Sequence, residues 1–402
     1  MLDAVPRSTA ALLETLRPSV AAEQPSGIVD TFIYASDKPD VIPLWVGQGH
    51  LPTPAFICDA AIASLRAGDT FYTWQRGIPE LRSALARHHH RLYDRDFDPE
   101  NFYVCQGGMQ AVQLALQALL QPGDEAIVPV PAWTNHAASL RMAGVTPIEV
   151  PMQFTGTGWE LDLERLFASA GPRTRAIICN TPSNPLGRVM SKAEIVAIRD
   201  FCRKRGLWMI VDEVYARFYY PEEANRPMPP SFLDVCDPEE RIIACNTFSK
   251  NWAMTGWRVG WMMAPRAMGQ AIENLVQYNT SGTTTFLQKG CVAALDAGEA
   301  FVEEQVRQAR RGRDIVCDAL AGCPGVAFSR PEGAFYLFFR VEGETDSTAL
   351  SRRLIDEARV GCAPGSAFGP AGQGFLRLCF LRSAEHLSEA ARRLTGWFGQ
   401  RP

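Results

Sequence analysis

No Cys-x-x-Cys pair occurs anywhere in the 402 residues, and the eleven cysteines are an odd number scattered from Cys58 to Cys379. This leaves zinc ribbons and thioredoxin-like redox motifs unsupported. It makes Cys179, Cys245 and Cys379, which sit in apolar runs, small buried thiols of a reducing compartment. A basic excess is missing too. Forty Lys and Arg stand against 44 Asp and Glu, a net charge of −4, and no basic stripe marks a nucleic-acid partner. No apolar stretch reaches the ~20 residues of a membrane span; the longest, around 109–120, is broken by Gln110, Gln113 and Gln117. Residues 1–14 carry Asp3, Arg7 and Glu14 and lack an apolar signal core, so the cytoplasm is the expected compartment. Repeats and low-complexity tracts are absent. Consecutive helical residues fan ~100° apart, so His88-His89-His90 cannot converge on one ion; the triplet reads as a solvated helix face, and no metal is expected.

What is there is 47% hydrophobic and 21% charged, enough for a full core. At about 100–200 residues per domain the length predicts two or three domains. The runs 126–130 (AIVPV), 176–179 (AIIC), 207–211 (LWMIV) and 242–245 (IIAC) are continuously apolar rather than alternating, as in strands buried on both faces of a mostly parallel sheet. Helical patterns lie between them: 110–120 has apolar residues at i, i+3, i+4 spacing, and 192–205 opens on Ser191 and Glu194 at capping-box spacing. This alternation predicts an α/β domain over roughly 50–290. The last third changes character. A long charged amphipathic helix over 299–320 and strands over 334–341 and 374–380 predict a smaller α+β domain, completed by residues 1–49, which show no evident sheet signal.

Ligands of α/β sheets bind at the carboxyl ends of the strands, so the residues that follow each run carry the chemistry. After 102–105 comes Gln106-Gly107-Gly108-Met109-Gln110, glycines opening a helix, whose free N–H groups suit an anion. After 126–130 come Pro131-Ala132-Trp133. After 176–179 comes N-T-P-S-N-P-L-G (180–187). After 207–211 come Asp212-Glu213-Val214-Tyr215, with an acid at the strand end. After 242–245 come Thr247-Phe248-Ser249-Lys250, and Arg258 follows eight residues on. Lys250, set among Phe248, Trp252 and Trp257, is a candidate for a desolvated amine of lowered pKa. Arg377 alternates within Phe375-Leu376-Arg377-Leu378; no acid lies in that strand, so a buried Arg377 needs an anion from elsewhere.

Taken in order, N-T-P-S-N-P-L-G, D-E-V-Y and F-S-K-N-W-A-M-T-G-W-R-V-G-W, with G-G-M-Q-A, P-A-W-T-N-H, P-E-G-A-F-Y and F-L-R-L, resemble the class I/II aminotransferases, pyridoxal-phosphate enzymes of fold type I, over roughly residues 40–385. The resemblance implies a large domain built on a mostly parallel sheet of seven strands sandwiched by helices, with a smaller α+β domain. It implies pyridoxal phosphate held on Lys250 as a Schiff base, Asp212 paired with the ring nitrogen, Asn184 and Tyr215 at the ring oxygen, and Trp133 stacked on the ring. Gly108, Met109, Thr247 and Arg258 would receive the phosphate. Arg377, flanked by Gly47, would receive the substrate α-carboxylate, and Trp133 and Asn184 would also be substrate-binding. Tyr72 would reach the phosphate of a neighbouring subunit, hence a homodimer with shared sites. The implied reaction is ping-pong transfer of an amino group from an L-α-amino acid to a 2-oxo acid; a β-lyase cleaving C–S bonds on the same scaffold is the alternative. One block departs from the family pattern: Val46-Gly47-Gln48-Gly49-His50 stands where a Gly-Glu/Gln-Pro run is usual. With Met109 after the glycine pair and no lysine there, and with Tyr72, Trp74 and Phe335 as candidate pocket residues, a neutral or aromatic substrate side chain is expected.

Overall fold

The computed structural model describes residues 14–221 and 226–400; the reading of the first thirteen residues lies outside them. Seven strands form the main sheet, in spatial order Phe102–Cys105, Gly260–Met263, Ile242–Thr247, Trp208–Asp212, Thr174–Asn180, Glu125–Val130 and Thr146–Pro151. Gly260–Met263 runs antiparallel to both neighbours, and the five strands from Ile242–Thr247 to Thr146–Pro151 pair in parallel. The continuous apolar runs follow from burial on both faces. Ile177, Cys179, Met209 and Val211 join the core on one side of the sheet, and Ala176, Ile178 and Ile210 join the core on the other, as a side-chain period of two requires.

Two strands escaped the sequence reading for physical reasons. Thr146–Pro151 lies at the sheet edge and pairs only with Glu125–Val130, so it carries Glu149 and two prolines in place of an apolar run. Gly260–Met263 was absorbed into the motif that follows Lys250. The helix Lys192–Arg205 begins on the expected capping box of Ser191 and Glu194 and ends on Gly206 at φ +67°.

The histidine triplet is a correction. His88 and His89 are buried and only His90 is exposed. Within the helix Pro79–Tyr93, Leu81, Ala84, Leu85 and His88 stand at i, i+3, i+4, i+7, so His88 belongs to the apolar stripe. The His89 ring packs against Phe102 with centroids 4.8 Å apart, and its Nδ1 donates to the Leu85 carbonyl at 2.9 Å. Burial pushes the His89 pKa down to about 4, so the ring stays neutral in the core.

A second, antiparallel sheet takes the order Val326–Phe328, Tyr336–Val341, Phe375–Cys379, Ala363–Pro364. The helices Glu299–Ala321 and Ala384–Phe398 share its core through Val316, Leu320, Leu387 and Leu394. The early segment does contribute a strand: Ile42–Pro43 pairs in parallel with Val360–Gly361. The helix Gly27–Ala35 is tied to the same region, where Tyr34 Oη donates to Asp356 at 2.6 Å and Lys38 pairs with that carboxylate at 2.7 Å. Residue 290 falls inside the helix Thr285–Ala297, whose Cys291, Ala294 and Leu295 belong to the core of the seven-stranded sheet. All cysteines except Cys58 are buried, and none is disulfide-bonded. No helix among the described residues is long and apolar enough to cross a membrane.

Candidate active site

A cavity of about 390 Å³ opens at the carboxyl ends of the central strands, where the second sheet faces them. Asp212 is the last residue of its strand. Thr247 ends the next and caps the one-turn helix Phe248–Asn251, its Oγ1 accepting from Ser249 N at 3.1 Å. That turn carries Lys250 into the cavity. The long helix Glu299–Ala321 pins it from behind: Gln305 Nε2 donates to the Asn251 carbonyl at 2.6 Å. Lys250 Nζ donates to the Gly47 carbonyl at 2.7 Å. The Lys250 side chain as a whole is only half-buried, but its amine end lies deep among protein atoms, and that desolvation lowers its pKa to about 8.

Asp212 is buried, and its Oδ2 lies 3.0 Å from Nε2 of the buried His136. Its Oδ1 accepts from Val214 N at 3.3 Å. The adjacent Glu213 turns away from the cavity and takes hydrogen bonds from Ser231 Oγ and Phe232 N. Sequence reasoning missed His136. The signal was its place in P-A-W-T-N-H, three residues or about one helical turn past Trp133, whose ring it meets edge-on at 5.3 Å.

The anion-binding end is built from backbone and hydroxyls. The helix Gly107–Leu119 begins without a side-chain cap, leaving the first N–H groups, including those of Gly108 and Met109, to an outside acceptor. Gly107 sits at φ +83°, and a Cβ there would collide with the Arg258 guanidinium. Arg258 Nη1 donates to the Thr255 carbonyl at 2.8 Å and approaches Ser249 Oγ at 3.4 Å. Ser249 is a second residue the sequence reading passed over; it lies one residue before Lys250 and lines the cavity beside Thr247.

At the opposite end Arg377 is 2% exposed. Its Nη1 donates to Asn184 Oδ1 at 3.0 Å and its Nη2 to the Trp45 carbonyl, while Nε has no partner. Among the described residues neither Arg377 nor Arg258 forms an ion pair with a carboxylate, and neither does Lys250. A buried guanidinium without a counter-charge is costly, so Arg377 marks a place for an anion at one end of the cavity; Arg258 is exposed, and with no carboxylate partner among the described residues it offers a second at the other end.

Of the residues expected from sequence, Gly47, Gly108, Met109, Trp133, Asn184 and Asp212 line this cavity, as do Tyr215, Thr247, Lys250, Arg258 and Arg377. Tyr72 does not. It is 93% exposed beside Phe71 and Trp74, outside the cavity of its own chain. Phe335 is a correction: it is buried behind Tyr215, ring centroids 5.1 Å apart, and the neighbouring Tyr336 forms the wall instead. Ile28, Val46, Asn135 and Thr255 complete features that sequence reasoning did not single out.

This donor set fits pyridoxal phosphate. An uncapped helix start, two hydroxyls and an unpaired guanidinium suit a phosphate dianion, a buried carboxylate suits a protonated pyridine nitrogen, and a desolvated amine suits an aldehyde.

The family model described as "Aminotransferase class I and II" matches residues 39–394. A probable aspartate/prephenate aminotransferase of Aquifex aeolicus is 37% identical over 361 residues, covering 88% of this chain and 90% of that protein. An arginine–pyruvate transaminase of Pseudomonas aeruginosa is 36% identical, covering 88% and 89%. The crystal structure of an aspartate aminotransferase from Thermotoga maritima superposes with a TM-score of 0.89 at 32% identity, covering 96% of this chain and all of that one.

Proposed function

Because the chain belongs to the class I and II aminotransferases and is a pyridoxal-phosphate-dependent transaminase, we propose that it moves the amino group of a neutral or aromatic L-α-amino acid to a 2-oxo acid. The observation that carries this is the cavity with two unpaired arginines at its ends and a desolvated lysine between them. Among the described residues no cation besides Lys250, Arg258 and Arg377 lines it, and Ile28, Val46, Met109, Asn135 and Trp133 are among the uncharged residues of its wall. The relatives are named for transamination, which does not favour C–S cleavage. The test is a panel of amino donors against 2-oxoglutarate, pyruvate and oxaloacetate, followed by the cofactor absorbance. Neutral or aromatic donors should lead; aspartate as the preferred donor would contradict the reading.

When bound, pyridoxal phosphate supplies an electrophilic carbonyl and a ring that takes up the electrons released at the substrate Cα. Lys250 Nζ would attach it and would move the proton at the substrate Cα. Asp212, oriented by His136, would hold a proton at the ring nitrogen. Asn184 and Tyr215 would serve the ring oxygen and Trp133 the ring itself. Gly108 N, Met109 N, Thr247, Ser249 and Arg258 would bind the phosphate. Arg377 with Gly47 and Asn184 orients the substrate carboxylate, which fixes the Cα–H for transfer.

Covalent uptake of the cofactor requires the neutral amine. With its pKa lowered to about 8 by burial, Lys250 loses its proton well below the usual lysine range. Reconstitution of the apoprotein should therefore accelerate with rising pH and level off above about 8. A half-point near 10.5 would mean that the amine is solvated.

The active unit in this reading is a homodimer. Phe71, Tyr72, Trp74 and Tyr278 are 68–93% exposed, and the Gln75–Gln277 hydrogen bond at 2.5 Å draws their two segments together. Such an aromatic patch calls for cover, and a second copy would bring Tyr72 to its neighbour's phosphate. Sedimentation should give a dimer; a monomer of full specific activity would rule out shared sites. Residues 50–290 would form the cofactor-binding domain, and residues 1–49 with 291–402 the smaller one, with the helix Thr285–Ala297 carrying the chain between them. The eleven unpaired cysteines suit the reducing cytoplasm.

A further inference from the structure

Tyr336 has a place in the cavity that the roles above leave unused. It is 1% exposed, and three contacts surround it. Its hydroxyl lies 2.7 Å from the hydroxyl of Tyr215. Its ring lies under the Arg377 guanidinium, 4.4 Å from centroid to Cζ. Its hydroxyl also occupies the place a Cβ at position 47 would take, so only glycine fits there. One phenol thus touches the residue assigned to the ring oxygen, the arginine assigned to the carboxylate, and the glycine whose carbonyl holds Lys250 Nζ.

A phenol has one proton to donate. Burial raises the pKa of both Tyr215 and Tyr336, so both are neutral, and among the described residues each is the other's one hydroxyl hydrogen-bond partner. Only one of the two protons can lie between them; the other is left for a partner outside the pair. Arg377 lies against the Tyr336 ring and is the foremost charge easing its ionisation, whereas on Tyr215 the opposing influence of Asp212 ranks ahead of that of Arg377. The phenol nearer the cation is the better donor.

We propose that Tyr336 is a positioning residue: its hydroxyl donates to Tyr215 Oη, fixes the Tyr215 ring, and leaves the Tyr215 proton aimed into the cavity. This rests on the reading of Tyr215 as the donor to the cofactor's phenolic oxygen. A donor that itself accepts a hydrogen bond is polarised and donates more strongly. Donation to a phenolate oxygen withdraws its charge and weakens its hold on a proton shared with the adjacent nitrogen, so the chromophore loses that proton at lower pH. Tyr336 thereby acts on the cofactor without touching it.

The experiment is a spectroscopic pH titration of the bound chromophore in the holoenzyme, with no substrate present, for wild type, Tyr336→Phe, Tyr215→Phe and the double variant. Tyr336→Phe keeps the ring under Arg377 and removes one oxygen. It should raise the transition by about 0.3–1 pH unit, the equivalent of one modest hydrogen bond, and should leave KM for the amino donor within about twofold, since Arg377 keeps its packing. Tyr215→Phe should raise the transition further. The double variant should match Tyr215→Phe alone, because Tyr336 acts only through Tyr215. An unmoved transition in Tyr336→Phe beside a moved one in Tyr215→Phe overturns this proposal and spares the role of Tyr215. Shifts that add in the double variant, or a raised KM without a spectral shift, also overturn it; the latter would put the hydroxyl on the substrate carboxylate. No shift in Tyr215→Phe removes the assignment of Tyr215 and this proposal with it.

Discussion

Lys250→Ala lowers kcat by roughly 10²–10⁴-fold or more, the range a positioned proton-transfer group supplies, and abolishes covalent retention of the cofactor. The expectation rests on geometry specific to this side chain. Among the described residues Lys250 is the one lysine lining the cavity, its amine is oriented by the Gly47 carbonyl at 2.7 Å, and burial brings its pKa down to about 8. It reaches the site because Thr247 caps the turn that carries it, so the fold should survive the substitution. Steady-state kinetics with the preferred donor, together with the spectrum after gel filtration, checks both parts. Turnover within tenfold of wild type would show that another group moves the proton.

Arg377→Ala lowers kcat/KM for amino acids by roughly 30- to 5,000-fold, the equivalent of about 2–5 kcal/mol for a buried charged contact. Among the described residues, buried Arg377 has a side-chain amide and a backbone carbonyl as its only hydrogen-bond acceptors. In the proposed reading the substrate carboxylate is the partner that completes it. Arg377→Lys keeps the charge but loses the planar fork and should also be impaired. Cofactor binding should survive in both variants, because the proposed phosphate-binding residues Gly108, Thr247 and Arg258 lie at the other end of the cavity. Comparing amino acids with the matching amines that lack a carboxylate isolates the effect. Equal slowing of both, or of neither, would remove Arg377 from carboxylate binding.

The site was legible in sequence where chemistry follows a buried strand. Asp212, Thr247 and Lys250 stand at or just past strand ends that continuous apolar runs mark out, and the structure brings them into one cavity. Tertiary partnerships were less legible. His136 reaches Asp212 from 76 residues away and Tyr336 reaches Tyr215 from 121 residues away; the place of His136 in P-A-W-T-N-H hints at a role without naming its partner, and nothing local ties Tyr336 to Tyr215. Phe335 and Tyr336 show the limit of strand reasoning: adjacent residues face opposite sides, and without the register of Tyr336–Val341 against Phe375–Cys379 there was no telling which faced the cavity. The histidine triplet failed differently. Polar composition suggested solvent, while helical spacing placed His88 on the apolar stripe, and spacing prevailed. The side-chain pocket was least legible, since relatives of 36–37% identity are named for substrates as unlike as aspartate and arginine.

In the proposed reading Lys250 is the amine that binds pyridoxal phosphate for transamination. Borohydride reduction of the holoenzyme followed by peptide mapping is the direct test. One reduced pyridoxyl adduct per chain is expected, on the peptide containing Phe248-Ser249-Lys250, and none in Lys250→Ala. An adduct of equal yield on Lys38 or Lys289, which are paired with surface acids, or its persistence in Lys250→Ala, would contradict the claim.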